Sequence, residues 1–477
     1  MRPTEGAAAA LILRDVEVAG RGGLDVRIEG GRVAAIGPRL AGRGAELDGR
    51  GGALIPGLID HHIHILATAA RADSVALETA RGLADVAARI GAAAARRPAG
   101  AWIRAVGYHE GAEPLLDAMA LDRMAPRHPL RVQHRSGSLW ILNSRALGAV
   151  LRGEPAPACV ERGDDGRPTG RIWRGDAWLG ERLGRTPPPL APLGARLAAY
   201  GVTGLTDTSA NTDAEAAAIL AAAHANGDLP QRLMLMSGGD LEPPPGVRLG
   251  PVKVLLDEAR LPDLDALVAR IAEARDWGRG VAMHCATATE LAFALAAFEA
   301  AGARPGDRIE HGSVIAPEAV PQIARLGLTV VTQPGFVAER GDRYLAEVPV
   351  GDHDNLYRLA SLKRAGVRLA ASSDAPYGEP DPWTAMRAAV SRRTASGAAV
   401  GEGETLAPAA ALSLYLGGFA RPGGRRRRVA VGARADLCLL SVPRAEALRM
   451  LDTELVAATL VDGRVVFERA AGRAVAA

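Results

Sequence analysis

Cysteine is scarce in this sequence: Cys159, Cys285 and Cys438 are the only three. Their wide spacing makes neither a disulfide framework nor a Cys-x-x-Cys metal site. No apolar run reaches the roughly 18 residues that a membrane-spanning helix needs. The run nearest the amino terminus, Ala7 to Leu13, is broken by Arg14 and Asp15 and lacks a cleavage-like context, so it does not read as a signal peptide. A large excess of charge is also missing. The net charge of +3 over 477 residues gives no case for a nucleic-acid partner, and the arginine run from Arg425 to Arg428, after Gly423-Gly424, reads as a solvated turn. The expectation is a cytoplasmic, soluble protein with neither nucleic acid nor membrane as partner.

What is present is the material of a large fold. Apolar residues make up 48% and charged residues 23%, a balance that supplies a sizeable core and argues against disorder. The length fits one large α/β barrel plus a satellite. Both ends have a β texture. Residues 10–13, 16–18, 24–28 and 32–36 read as short strands punctuated by glycine turns. Residues 435–440 and 456–461 read the same way, and Asp462-Gly463 marks a hairpin into 464–467. These ends predict a small β-sandwich-like domain formed by residues 1–56 and 404–477.

Between them the texture changes. Alanine-rich periodicity predicts helices over 67–88 and 92–97, then strands at 102–108 and 130–134. A further strand from Leu139 runs into a helix capped by Asn143 or Ser144. From residue 200 strands and helices alternate. Strands are expected at 201–207, 231–236, 252–256, 280–284, 308–311, 328–332 and 367–371, with helices at 213–225, 264–277, 286–301, 317–326 and 355–365. The strand at Ile59 makes eight. The pattern predicts a TIM-type (β/α)8 barrel over residues 57–403, with a long insertion after its first strand, at about 66–200.

Chemistry concentrates at strand ends, where a barrel of this kind carries its active site. Leu58-Ile59 leads into Asp60-His61-His62-Ile63-His64. Alternation puts His62 and His64 on one face about 7 Å apart, where two imidazoles can chelate one transition-metal ion, and turns His61 away. Later strands end in His284, His311 and Asp374, and Lys253 lies inside another. A chain with ten histidines that ends three separate strands in histidine points to a metal site. Cys285, with no spaced base, reads as a small buried residue.

Pro56-Gly57-Leu58-Ile59-Asp60-x-His62-x-His64 resembles the first-strand signature of the metal-dependent amidohydrolase superfamily. Gly107-Tyr108, Ser136-Gly137-Ser138 before Asn143-Ser144, and Asp165-Gly166 with Pro168-Thr169-Gly170 are similar to the insertion of its YtcJ-like subgroup. That subgroup usually has a histidine where this chain has Ser138, and a small residue in place of His61. The resemblance implies a divalent metal, zinc, as one or two ions. It assigns His62, His64, Lys253, His284, His311 and Asp374 as ligands, with Lys253 carboxylated in a binuclear site. Asp374 would also be the general base. The implied reaction is hydrolysis of a C–N bond, an amide or related acyl bond, in a small-molecule substrate. Deamination, ester hydrolysis, isomerisation and a non-catalytic scaffold stay open, because fold does not fix reaction. His134, Arg135 and Trp140 of the insertion are candidates to line the substrate pocket, and the family suggests a homo-oligomer.

Overall fold

In the computed structural model, which describes residues 10–42, 44–109, 115–136, 138–184 and 187–470, eight parallel strands follow one another around a single sheet. They are β1 (Leu58–Ile63), β2 (Val202–Asp207), β3 (Arg232–Ser237), β4 (Arg248–Val254), β5 (Val281–Cys285), β6 (Arg308–His311), β7 (Thr329–Thr332) and β8 (Arg368–Ala371). The residues of β1, β2, β6 and β7 are buried throughout, as parallel strands covered on both faces must be. Past the end of β8 the backbone returns to β1. Asp374 N donates to the His62 carbonyl and His64 N to the Ala375 carbonyl, each at 2.8 Å. The result is a nearly closed TIM-type barrel. Residues up to 9, which include the start of the apolar run Ala7 to Leu13, and Gly137 lie outside the described residues.

Seven of the strands lie close to where the sequence predicts them. The fourth, expected at 252–256, begins earlier, at Arg248. In the fold, Leu249 and Val252 pair with Leu235 and Ser237 across a register shift. That bulge accommodates a proline that has no N–H to give. The helix expected over 355–365 is instead a 3-10 turn, Val350–Asn355, followed by a short helix, Ala360–Arg364. The Glu404 carboxylate sets the later start by accepting from Leu359 N and Ser361 N, both at 2.9 Å. A helix at Gly335–Glu347, after β7, has no counterpart in the sequence reading.

The termini meet in one eight-stranded sheet. Its order is Arg464–Glu468, Val456–Val461, Leu437–Leu440, Ala53–Pro56, Leu11–Val18, Arg21–Glu29 and Arg32–Gly37, with Ala45–Asp48 beside Leu11–Val18. Leu13, Val26, Leu54, Leu437 and Leu460 share its core. The chain passes from this sheet into β1 at Pro56-Gly57. A Cβ at Gly57 would meet Thr203 Cγ2 at 2.1 Å, so only glycine lets the two strands approach. Arg427 donates to the Gly57 carbonyl and is largely enclosed, its guanidinium pushed down to about 10 by burial. The arginine run is therefore solvated only at Arg425, Arg426 and Arg428.

Residues up to Ile65 with those from Leu190 onward form one compact unit, and Leu66–Pro189 form another. The second unit has its own six-stranded sheet, Val160–Arg162, Pro168–Trp173, Leu139–Leu142, Leu130–His134, Ile103–Tyr108 and Val75–Ala76 in that order. The helix expected over 67–88 is divided into Ile65–Ala72 and Gly82–Ala95, because Val75–Ala76 pairs with Ile103–Tyr108. Strand pairing overrides alanine's helix propensity there. Asn143 is the cap of Ser144–Leu151, and its Oδ1 accepts from Ala146 N and Leu130 N. No helix among the described residues is long and apolar enough to cross a membrane.

Candidate metal centre

At the carboxyl ends of the barrel strands, His62, His311 and Asp374 converge. One ligand atom from each lies within 4.8 Å of the others, and all three residues are buried. Asp374 Oδ1 is 3.2 Å from His62 Nε2 and 3.2 Å from His64 Nε2. His284 joins from β5, its ring centroid 4.5 Å from that of His311. Lys253 of β4 lines the same cavity.

The backbone explains how His311 and Asp374 reach this point. Both have left-handed conformations, φ 68° and φ 54°, which cost non-glycine residues about 1–3 kcal/mol each. In an extended strand Glu310 and His311 would face opposite sides. The turn at His311 brings both towards His62. Glu310 bonds His62 Nδ1, and the His311 ring centroid lies 4.7 Å from that of His62.

Hydrogen bonds behind the histidines fix which nitrogen each presents. Arg308 Nε and Nη2 grip the Glu310 carboxylate at 2.6 and 3.1 Å. Burial would raise the Glu310 carboxyl, yet Arg308 and His62 hold it well below the usual carboxylate range. An ionised Glu310 can only accept, so His62 Nδ1 carries the proton and Nε2 turns to Asp374. The polarity behind His311 follows from a carbonyl. Ser372 Oγ donates to the Thr332 carbonyl (3.2 Å) and accepts from Gln333 Nε2 (3.0 Å), which leaves Gln333 Oε1 to accept from His311 Nδ1 (3.0 Å). His311 Nε2 is thereby left as the basic nitrogen. A partner on the far ring nitrogen is the usual support of a metal-binding imidazole.

The electrostatics suit a cation. Burial and Lys253 lower His62, but the carboxylates of Asp374 and Glu310 outweigh them and raise its pKa. Burial raises Asp374, while His62, His64 and His311 hold it well below the ordinary carboxylate value. His284 and His311 are lowered, chiefly by burial, and so are neutral imidazoles. Burial also lowers Lys253, whose Nζ has no hydrogen-bond partner. His62 Nε2 and Asp374 Oδ1 face each other without an aligned hydrogen bond. Buried polar atoms normally find partners. Converging, unsatisfied nitrogen and oxygen donors fit a divalent ion.

Other residues singled out in the sequence have different surroundings. Both ring nitrogens of His61 are buried without a hydrogen bond, and burial with Arg308 and Arg427 keeps the ring neutral. Cys285 is fully buried, its thiol pushed up by burial. His134, Arg135 and Trp140 belong to the second unit. There Trp140 is 6% exposed, under the guanidinium groups of Arg104 and Arg131. His134 Nδ1 contacts Ser136 Oγ, and Arg135 is exposed.

The cavity around the histidines, about 460 Å³, is walled by residues the sequence reading passes over: Phe336, Arg340, Tyr344, Tyr357 and Tyr377. Their signal in the sequence is weak, because they come from the unrecognised helix Gly335–Glu347 and from loops. Glu310 and Gln333 had a signal in their closeness to strand ends, and alternation with His311 then directs Glu310 away from the site.

Comparison with known proteins follows the same lines. Residues 45–467 match the amidohydrolase family. The chain is 27% identical to an N-substituted formamide deformylase of Arthrobacter pascens, over 93% of this chain and 95% of that one. It is 24% identical to the amidohydrolase-type protein YtcJ of Bacillus subtilis (strain 168), over 87% and 89%. The crystal structure of an uncharacterized metal-dependent hydrolase from Pyrococcus horikoshii OT3 superimposes with a TM-score of 0.74 at 20% identity, covering 91% of this chain and 97% of that one.

Proposed function

The chain belongs to the amidohydrolase family, and on that premise we propose that it is a metal-dependent hydrolase of C–N bonds that cleaves N-substituted amides of small molecules. The observation that carries this reading is the buried convergence of His62, His311 and Asp374, with His64, His284 and Lys253 around the same cavity. The deformylase name of the Arthrobacter relative supports formamides as the first substrates to try.

His62, His64, His284, His311 and Asp374 would hold the ion, and their nitrogen and oxygen donors suit zinc. A bound divalent ion lowers the pKa of water from 15.7 to about 7 and polarises a carbonyl. The residues do the rest. Asp374, ionised and within 3.2 Å of two imidazoles, accepts the proton of the attacking water as general base. It returns that proton to the leaving nitrogen, so the C–N bond breaks to a neutral amine. Glu310 and Gln333, each on an Nδ1, fix the tautomers of His62 and His311 so that Nε2 is the ligand nitrogen, and they aim both rings. Lys253, whose Nζ is buried in the same cavity without a hydrogen-bond partner among the described residues, would in its neutral form add CO2 with loss of one proton and supply a second carboxylate.

The test is metal content by mass spectrometry, with amine release from N-alkyl and N-aryl formamides, for the wild type and for His62→Ala/His64→Ala. About one or two ions per chain and turnover are expected, both lost in the variant while circular dichroism is unchanged. Wild type without bound metal, folding and behaving identically with and without a chelator, would overturn the reading.

A further inference from the structure

The cavity that holds the histidines also has an apolar and aromatic wall, formed by Phe336 and Tyr344 of the helix Gly335–Glu347, by Val348 and by Tyr357. One cation interrupts it. The Arg340 guanidinium lies 4.2 Å from the centre of the Phe336 ring, and Nη2 donates to the Tyr377 carbonyl. Stacking on the ring and anchoring to a carbonyl hold the guanidinium in one place and leave further N–H groups to donate.

Among the described residues no carboxylate accepts a hydrogen bond from them. Arg340 has no ion pair among the described residues, and the neighbouring Glu339 carboxylate accepts instead from Glu379 N. Asp374 is the sole acid lining the cavity among the described residues. Arg340 is also close to the chemistry, since the Tyr377 ring that follows its anchor stands edge-on to His64 at 5.7 Å between centroids.

We propose that this cavity selects amides whose nitrogen substituent combines an aromatic or bulky apolar group with a carboxylate. The apolar group packs on Phe336, Tyr344 and Tyr357, and the carboxylate pairs with Arg340. This rests on the reading of the site as an amide hydrolase. It deepens that reading by making N-acyl aromatic amino acids, rather than uncharged N-substituted amides, the preferred substrates. Arg340 is then a specificity residue that touches substrate away from the scissile bond.

A matched pair of probes isolates the carboxylate: N-formylphenylalanine and N-formyl-2-phenylethylamine. Calorimetric binding and amine release are measured for the metal-loaded wild type, Arg340→Gln and Arg340→Lys. In wild type the carboxylate probe should bind about tenfold to a hundredfold more tightly, as expected for a charge-assisted pair. Arg340→Gln should abolish that preference by raising the Kd and KM of N-formylphenylalanine to those of the uncharged probe. Arg340→Lys should restore part of it. Equal binding of the two probes by wild type, or a preference that survives Arg340→Gln, overturns the proposal. Turnover of either probe in that case still upholds the hydrolase reading. Conversely, a preference lost in Arg340→Gln without any turnover supports the carboxylate site and counts against the hydrolase.

Discussion

A metal-binding imidazole must present one chosen nitrogen, and in this site carboxylate and amide groups behind the ligands make the choice. Glu310 is the clearest case, because Arg308 keeps it ionised and it can therefore only accept from His62 Nδ1. Glu310→Gln removes the charge and allows the amide to present its NH2 to His62, which would then have to turn or change tautomer. Metal affinity should fall by about 10- to 100-fold, as for other outer partners of ligand histidines. Competition against a chromophoric chelator measures it, and an unchanged affinity would show that His62 needs no such partner. Glu310 was hard to read from the sequence for a local reason. Its alternation with His311 predicts opposite faces, and the left-handed backbone at His311 cancels that alternation.

At the scale of elements, the helix Gly335–Glu347 decides the shape of the substrate cavity. Glycines at 335 and 341 and five charged residues between 339 and 347 dilute its apolar pattern, and glycine is a poor helix former. Tertiary contacts hold it. Gly341 lies against Thr394, where an added Cβ would meet Cγ2 at 2.5 Å, and Asp342 accepts from Thr394 Oγ1 and Ser396 N. Gly341→Val should destabilise the protein by about 1–3 kcal/mol through overpacking, and valine's small gain in helix propensity does not offset this. The same displacement should raise KM by moving Phe336, Arg340 and Tyr344. Urea denaturation and substrate titration check the two effects, and a variant as stable as wild type would mean that the helix is not seated by this contact.

Across the whole molecule, the barrel depends on joining its first and last strands. Asp60 does part of this, with Oδ1 accepting from Ser373 N and Oδ2 from Ser373 Oγ at the exit of β8. Burial nevertheless pushes its carboxyl up from 3.8 to about 6, against those hydrogen bonds. The folded chain then keeps a proton between about pH 4 and 6 that the unfolded chain has released. The resulting stabilisation is complete below the unfolded value and is lost as the pH rises through about 6, a difference of about 3 kcal/mol. Urea denaturation of metal-stripped protein from pH 4 to 7 should show this fall in wild type and not in Asp60→Asn. Parallel profiles would rule out Asp60 as its source.

Sequence alone determined the barrel and picked out most of the residues that meet at its candidate metal centre. Seven strands follow from βα alternation, and His62, His64, His284, His311 and Asp374 stand out as polar residues at the ends of buried apolar runs. Period-2 alternation and strand length are local properties, so they survive without a partner. What surrounds the ligands was decided by tertiary structure. Glu310 and Gln333 act across strands that are distant in the chain, and the cavity wall comes from a helix held by its contacts rather than by its propensity. The left-handed turns that bring His311 and Asp374 into the site depend on the closed barrel, because only fixed neighbours can hold a backbone in a conformation that it disfavours by itself.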